Sequence, residues 1–329
     1  MRTKPTVPAS VPSGTPNSSN FAWSVHVHPK AAEILKLDHS EAIPDIVRQA
    51  LAEHRRLIAM GSTSVLKDAP ESAVTRVSLP GVPPVCVKEF RWRGAMHGMK
   101  SLFRATQGTR TFANGWRLKE SGFSAAAPLA LVRERSMGIV LGEWVIMEIM
   151  PRCLELDRYL VSRIRSDWSP EEKRCLARMM GRYIGSLHSA GIFHADLKTC
   201  NILVSEISAE EGHTEHSGEW TPTNPGGGLR FSLVDYDHVT FSNAVSSRKR
   251  IKNLVQIFLS MPTAVAAGDR LRFLHEYALH VGLSVAERRK TALQVLKAAR
   301  GRDILYVGFD GDIVEQWNWG DTSDPKCSL

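Results

Sequence analysis

The chain has 329 residues, of which 43% are hydrophobic and 23% charged, and its formal net charge is +8. These proportions lie near the globular averages and exclude a wholly disordered or fibrous protein. No apolar run reaches the roughly 18 residues of a membrane-spanning helix, and residues 1–20 lack the apolar core of a secretory signal. The five cysteines are scattered without a Cys-x-x-Cys pair, which favours a reducing compartment over a disulfide framework or a cysteine-based zinc site.

The first part of the chain predicts an antiparallel sheet. Residues 1–20 are rich in Pro, Ser and Thr and predict a disordered tail, with order beginning near Phe21. Apolar residues on one face predict a helix around Ile43–His54, and another helix is expected within Thr111–Glu120, stopped by Gly122. Short apolar runs bounded by Gly, Pro and Ser predict the strands LIAM, AVTRVSL, PVCVKEF, PLALV and WVIMEIM.

After Pro151 the pattern becomes helical. Ser169 and Ser284 each precede a glutamate three positions later, which is typical of a helix N-terminus. Gly191 and Gly282 are expected to end two helices that carry apolar stripes. The stripe before Gly282 is formed by Leu271, Leu274, Ala278 and Val281.

Sheet followed by helices predicts an α+β protein with two lobes rather than alternating βαβ units. The expected boundaries are an N-lobe over 21–150 and a C-lobe over 151–320, interrupted by a flexible insertion at 206–229. A short tail is expected at 321–329. Within the insertion, His213 and His216 have no further metal ligand at a recognisable spacing, which disfavours a metal site there.

Three segments place polar residues in apolar surroundings. IFHADLKTCNILV contains Asp196, Lys198 and Asn201, FSLVDYDHV delivers Asp235 after a strand, and VCVKEF holds Lys88. Phosphoryl transfer from ATP needs a cation on the phosphates, oxygen ligands for magnesium and a carboxylate near the attacking hydroxyl. Each residue alone has an ordinary structural explanation, but their order along the chain favours this chemistry.

The order resembles that of the protein-kinase-like fold, with its strand lysine, H-R-D-L-x-x-x-N loop and D-F-G turn. The resemblance implies that Asp196 accepts the proton of the substrate hydroxyl and that Lys198 steadies the transferred phosphate. It further implies that Asn201 and Asp235 hold Mg²⁺ and that Lys88 pairs with the α- and β-phosphates of ATP. His194 would brace the loop.

The chain departs from the kinase pattern in two places. No G-x-G-x-x-G is present, so Gly61 and Ser62 are the candidate phosphate-loop donors. No acid lies mid-helix in 111–120, so either Glu120 reaches Lys88, or Asn114 and Asp235 orient that lysine, or the protein is catalytically weak or dead. Glu148 and Met150, just before Pro151, are the expected hinge residues for adenine.

The segments VKEF, LHSAGIFHADLKTCNILV, LVDYDHV and RIKNLVQ together resemble the lipopolysaccharide kinase family, over about residues 56–299. The short path from Asp235 to RIKNL leaves out the A-P-E region on which protein substrates dock. The resemblance implies an ATP- and Mg²⁺-dependent kinase of a Kdo or heptose sugar in the lipopolysaccharide core. An atypical serine/threonine protein kinase and a nucleotide-binding pseudokinase remain the alternatives, and no recognisable nucleic-acid module is present.

Charge also favours an anionic partner. Residues 88–119 contain eight Lys or Arg against the single acid Glu89, interleaved with aromatic and aliphatic side chains. Such a stretch suits the lipopolysaccharide core or another anionic acceptor, with peripheral contact at the cytoplasmic face of the inner membrane. A solvated face over a core stripe is the alternative. The basic run 248–252 could likewise clamp an anionic acceptor or be solvated.

Overall fold

The computed structural model describes residues 21–38, 40–91, 104–137, 139–166, 168–207, 228–308 and 310–315. The chain divides into two compact units. The first comprises residues up to Lys119 together with Ala126–Met150, and the second comprises Glu120–Ala125 with residues from Pro151 onward. The expected tails at 1–20 and 321–329 and most of the expected insertion lie outside the described residues, as does most of the basic stretch between Lys88 and Arg104.

The first unit is an antiparallel sheet with helices. Its elements are β1 (Phe21–Val27), α1 (Ala31–Ile34), α2 (Ile43–Ala59), β2 (Val65–Ala69), β3 (Ser72–Val77), β4 (Val85–Phe90), α3 (Gln107–Glu120), β5 (Pro128–Ser136) and β6 (Ile139–Glu148). In the described part of the chain the strand order is β1-β5-β6-β4-β3-β2, and every neighbouring pair is antiparallel.

Helix α2 covers one face of this sheet. Its residues Val47, Ala50 and Leu51 recur at helical spacing and share a buried cluster with sheet residues such as Val87 and Ile146. The prediction of a strand at LIAM is wrong, because Leu57 continues the same apolar stripe and the helix ends only beyond Ala59. The helix is therefore longer than the predicted Ile43–His54.

Helix α3 begins at a buried carboxylate. Glu143 of β6 is 3% exposed and its Oε2 accepts the Gly108 backbone N–H at 3.0 Å, while Oε1 accepts the Thr106 hydroxyl. Arg133 Nε lies 3.1 Å from Glu143 Oε1. A carboxylate is favourable at this end because the first N–H groups of a helix have no partner within it. The helix thus starts a turn earlier than its predicted range and is anchored to the sheet.

The second unit is mainly helical. Its elements are β7 (Cys153–Glu155), α4 (Leu156–Arg165), α5 (Pro170–Ser189), β8 (Ile192–His194), β9 (Ile202–Ile207), β10 (Gly228–Leu233), β11 (Val239–Phe241), α6 (Ser247–Ser260), α7 (Ala267–His280), α8 (Val285–Ala299), β12 (Tyr306–Val307) and β13 (Ile313–Glu315). β10, β9 and β7 form one antiparallel sheet, and β8 pairs with β11. The helices in the described ranges all fall short of the length and apolarity that a membrane span requires.

Both predicted capping signals in this unit are confirmed. Ser169 and Ser284 each accept the backbone N–H of the glutamate three residues on, and each glutamate carboxylate accepts the serine N–H in return. The predicted stripe on α7 is partly wrong, because Leu271 is 63% exposed and the buried residues are Phe273, Tyr277 and Ala278. Phe273 and Tyr277 occupy the core in place of Leu271, while Leu274 is half-buried. A sheet-rich part followed by a helical part confirms the α+β prediction.

Gly191, between α5 and β8, lies in an unusually tight backbone contact. Its φ is +74°, and a Cβ at this position would lie 1.7 Å from the backbone oxygen of Ser242. Gly282 has a nearly equal φ of +71°, but an added Cβ there would meet no atom within 4 Å. The two glycines therefore separate the cost of the left-handed conformation from the cost of a clash.

We expect Gly282→Ala to lower the free energy of unfolding by about 1 kcal/mol, since an L-residue is strained at positive φ. Gly191→Ala should cost at least about 3 kcal/mol, because the same strain is joined by displacement of the β8–β11 backbone. Urea denaturation of both variants measures the difference. Equal losses would contradict the close approach of Gly191 to Ser242.

Candidate active site

The HADLKTCN segment connects β8 to β9 in the second unit. His194, the last residue of β8, is buried and holds the loop from within: its Nδ1 accepts the Asp196 backbone N–H at 3.1 Å, and its Nε2 donates to the Val234 carbonyl at 3.1 Å. Burial lowers the pKa of His194, so it is neutral at pH 7. This geometry agrees with the bracing role expected for His194.

Asp196 is surrounded by polar groups. Lys198 Nζ lies 3.1 Å from Asp196 Oδ1 and 3.3 Å from Oδ2. Asn201 Nδ2 donates to the Asp196 carbonyl at 2.7 Å and lies 3.5 Å from its Oδ2, while Gln256 Nε2 lies 3.5 Å from Oδ1. The structure therefore brings Asp196, Lys198 and Asn201 together, with the Asp196 carboxylate still 43% exposed and open to a reactant.

Asp235 follows β10 in a special backbone conformation. Its φ is 55° and its ψ 42°, in the left-handed region that aspartate tolerates better than most residues. The residue before it, Val234, donates its N–H to the Asn201 carbonyl at 3.1 Å and accepts from His194. The strand end that carries Asp235 is thus tied to the loop that carries Asn201.

The oxygens available for a cation are few. Since Asn201 Nδ2 donates to Asp196, the amide oxygen of Asn201 is the atom left to act as a ligand. Among the described residues no group of three or more His, Cys, Asp or Glu could hold a metal by itself. One carboxylate and one amide suit Mg²⁺, which keeps several waters and binds phosphate oxygens, better than they suit a metal held by protein alone.

In the first unit, Lys88 lies at the centre of the sheet. It is 9% exposed, pairs in register with Val74 of β3 and Val145 of β6, and its Nζ lies 4.9 Å from the centroid of the Phe90 ring. Lysine is seldom buried to this extent unless its charge is paired. Glu120, considered as its partner, is the exposed last residue of α3.

The candidate nucleotide-binding residues lie at two turns. Gly61 and Ser62 lie between α2 and β2, where their backbone N–H groups donate to Ile58 and Leu57 and end the helix. Those two donors are therefore engaged in the turn. At the end of β6, the Glu148 N–H donates to the Ala127 carbonyl at 2.9 Å, and Met150 is half-buried. The roles of all four residues toward a nucleotide stay predictions.

The family model described as lipopolysaccharide kinase (Kdo/WaaP) matches residues 84–277, which is more than half of the chain and includes Lys88, the Asp196 loop and Asp235. The chain belongs to the lipopolysaccharide kinase (Kdo/WaaP) family. Family membership and the order of sheet, loop and helices confirm the predicted protein-kinase-like fold.

Two curated proteins resemble parts of this family member. The lipopolysaccharide core heptose(I) kinase WaaP of Pseudomonas aeruginosa is 25% identical over 170 residues, which cover 49% of this chain and 55% of WaaP. The EKC/KEOPS complex subunit bud32 of Emericella nidulans is 33% identical over 90 residues, covering 27% of this chain and 30% of that protein. This chain therefore matches about half the length of WaaP and less than a third of the length of bud32.

Two solved structures are also similar. WaaP in complex with acyl carrier protein matches with a TM-score of 0.49 at 18% identity, covering 82% of this chain and 98% of that chain. The Rio2 kinase of Chaetomium thermophilum, in an ADP/Mg²⁺-phosphoaspartate complex, matches with a TM-score of 0.38 at 16% identity, covering 76% of this chain and 74% of that chain.

Helix α6 supports the HADLKTCN loop through contacts that the sequence did not predict. Asn253 Nδ2 donates to the His194 carbonyl at 2.6 Å, and Gln256 Nε2 donates to the Ala195 carbonyl at 2.9 Å. Ser260, one turn further, accepts the Thr199 N–H at 2.9 Å. The only local signal for this role is the spacing of three polar residues on a helix that is otherwise apolar on its inner side.

His188 of α5 completes the buried network. Its Nε2 donates to Asn253 Oδ1 at 3.1 Å, and its Nδ1 accepts the Tyr277 hydroxyl at 2.9 Å. Burial lowers the pKa of His188 to about 4, because an imidazolium there would lose its hydration. The unfolded chain, with a histidine pKa near 6.5, binds this proton more readily. The contribution of His188 to the free energy of unfolding is therefore fully present above about pH 6.5 and is lost as the pH drops toward 4.

We expect His188 to remove about 3 kcal/mol from the free energy of unfolding between pH 6.5 and pH 4, and His194 to act in the same direction. His188→Gln, which stays neutral, should flatten this pH dependence in urea denaturation. Unfolding of the same variant at about pH 8, where His188 of the wild type is also neutral, is the control for lost packing. An unchanged profile in the His188 variant would contradict the neutral, buried histidine.

Proposed function

We propose that this protein transfers the γ-phosphoryl group of ATP to a sugar hydroxyl, Kdo or heptose, of the lipopolysaccharide inner core. The observation that carries the proposal is the convergence of Asp196, Lys198 and Asn201 on one loop, which the hydrogen bond from the Val234 N–H to the Asn201 carbonyl ties to the strand end that carries Asp235. Family membership supports the same chemistry. Phosphoryl transfer needs side chains of these types: a carboxylate near the hydroxyl, a cation and oxygen ligands for the metal.

In this reaction Asp196 accepts the proton of the sugar hydroxyl as its oxygen forms a bond to the γ-phosphorus. The bond from that phosphorus to the β–γ bridging oxygen breaks, and ADP leaves with the electron pair. Lys198 stabilises the negative charge on the phosphoryl oxygens in transit, and Lys88 is assigned to the α- and β-phosphates. These side chains contribute mainly by position and charge, since the phosphoryl group itself requires little covalent assistance.

Asn201 and Asp235 fit Mg²⁺ because they offer one amide and one carboxylate oxygen and leave the other positions to phosphate and water. When bound, the ion would offset the charge of the phosphates. Asn201 is held for this role by its bond to the Asp196 carbonyl, and Asp235 by the strand β10 before it.

The acceptor is proposed to be small and anionic rather than a protein. After Asp235 the chain makes one 3-10 turn and the short β11, and α6 begins at Ser247. Little chain is left there for a docking surface. Lys249 and Lys252 lie 4.9 and 5.7 Å from the ring centroid of Phe193, the neighbour of His194. Two cations beside the loop suit the acidic groups of a core sugar.

The test is mass spectrometry of the lipopolysaccharide core from host cells with and without this gene. We expect the core to lose one phosphate when the gene is deleted and to regain it on complementation with the wild-type gene only. A core of unchanged mass favours the alternatives: protein phosphorylation with autophosphorylation as its mark, or nucleotide binding without turnover. We further propose a cytoplasmic location with peripheral contact at the inner membrane.

A further inference from the structure

Helix α8 presents an exposed face on which apolar and cationic residues alternate. Val295 and Ala299 are buried on its inner side, while Val285, Leu293 and Leu296 are 62%, 68% and 43% exposed. At 3.6 residues per turn, one arc of about 140° collects the residues called here the α8 face. These are Val285, Ala286, Arg289, Lys290, Leu293, Leu296 and Lys297.

The α8 face carries positive charge and no carboxylate. The one acid of the helix, Glu287, lies outside the arc, and its carboxylate accepts the Ser284 N–H at 2.8 Å in the capping box. Neither Arg289 nor Lys297 forms an ion pair with a described residue. Apolar side chains interleaved with cations that have no ion-pair partner among the described residues are typical of a surface that contacts anionic lipid.

The charge and shape of the face favour a flat anionic surface. Arg289, Lys290 and Lys297 lie within the arc without a carboxylate, and the 15-residue helix is straight enough to lie along a plane for about 22 Å. At a bilayer, leucine and valine enter the acyl boundary while lysine and arginine remain at the anionic headgroups.

We propose that the α8 face binds the surface of an anionic phospholipid bilayer. Leu293, near the centre of the arc, enters the acyl boundary, and Arg289 and Lys297 on either side of it contact the lipid phosphates. The α8 face would be the surface through which this protein contacts the inner membrane. Binding of lipid by this face requires no nucleotide and no sugar acceptor, so the vesicle experiment can fail without affecting the proposed phosphoryl transfer.

The test is sedimentation of the full chain with vesicles of phosphatidylcholine alone or mixed with phosphatidylglycerol, at low and high salt. We expect binding only to the anionic vesicles, weakened by salt. Arg289→Ala combined with Lys297→Ala should weaken binding about 25-fold, at about fivefold per cation lost. Leu293→Glu should weaken it about tenfold or more, since an apolar contact is replaced by a like charge.

Leu66 and Lys67 of β2 supply matched controls, since Leu66 is 63% exposed and Lys67 is also exposed. Leu66→Glu and Lys67→Ala should leave vesicle binding unchanged, and thermal melting should verify that all variants fold. Equal binding to neutral vesicles, or unchanged binding by the α8 variants, would overturn the proposal. If those variants instead lose binding to a labelled poly-glutamate peptide but retain vesicle binding, the face serves an acidic protein and the proposal is wrong.

Discussion

Asp196→Asn is expected to lower the turnover number for phosphate transfer about a thousandfold or more, because the amide keeps the shape of the side chain but cannot accept the hydroxyl proton. The Kd for ATP should change little, since no role in nucleotide binding is assigned to this carboxylate. Steady-state ADP production and calorimetric titration of the same protein separate the two quantities.

The exposed Asp303 gives a control, and Asp303→Asn should keep wild-type turnover. The contacts around Asp196 bear on the fold as well, because its carboxylate lies between Lys198, Asn201 and Gln256. A urea transition close to that of the wild type would exclude misfolding of the variant. Wild-type turnover by Asp196→Asn would disprove the proton-acceptor role.

Asp235→Asn should weaken binding of Mg-ATP on the order of a hundredfold, through loss of the charged magnesium ligand. Asparagine is the suitable replacement because it tolerates the left-handed conformation, whereas alanine at φ 55° would add backbone strain. The measurement is calorimetric titration with ATP, with and without Mg²⁺.

In the wild type we expect Mg²⁺ to strengthen ATP binding, and in Asp235→Asn we expect this difference to disappear while binding without the metal is unchanged. The magnesium-free titration therefore serves as the internal control. If the variant binds Mg-ATP with wild-type affinity, Asp235 is not a metal ligand, and Asn201 alone would have to hold the ion.

Local signals predicted much of the fold because they act over a few residues. The Ser169 and Ser284 caps were found because a capping box spans only four positions, and Gly191 and Gly282 because positive φ favours glycine. The strand predicted at LIAM failed for the same local reason. Leu57 belongs to the stripe of α2, and a short apolar run cannot distinguish a strand from the last turn of a helix.

The residues of the candidate site likewise differ in whether a short sequence pattern could identify them. Asp196, Asn201 and Asp235 were selected from motif spacing, and the structure brings Asp196 and Asn201 together on one loop, while the roles of all three stay predictions. Asn253 and Gln256 were missed, because their hydrogen bonds join backbone carbonyls some 60 residues earlier in the chain. Such contacts are specified by tertiary packing rather than by any short pattern. Glu143 is a similar case, since it caps a helix that begins 36 residues before it.

Incubation of the purified protein with γ-labelled ATP, Mg²⁺ and lipopolysaccharide whose core phosphates have been removed shows directly whether this chain phosphorylates a core sugar by using Asp196. We expect label on a sugar hydroxyl with the wild type and none with Asp196→Asn. Label that is absent with both proteins, or that appears equally with both, would disprove this activity of Asp196.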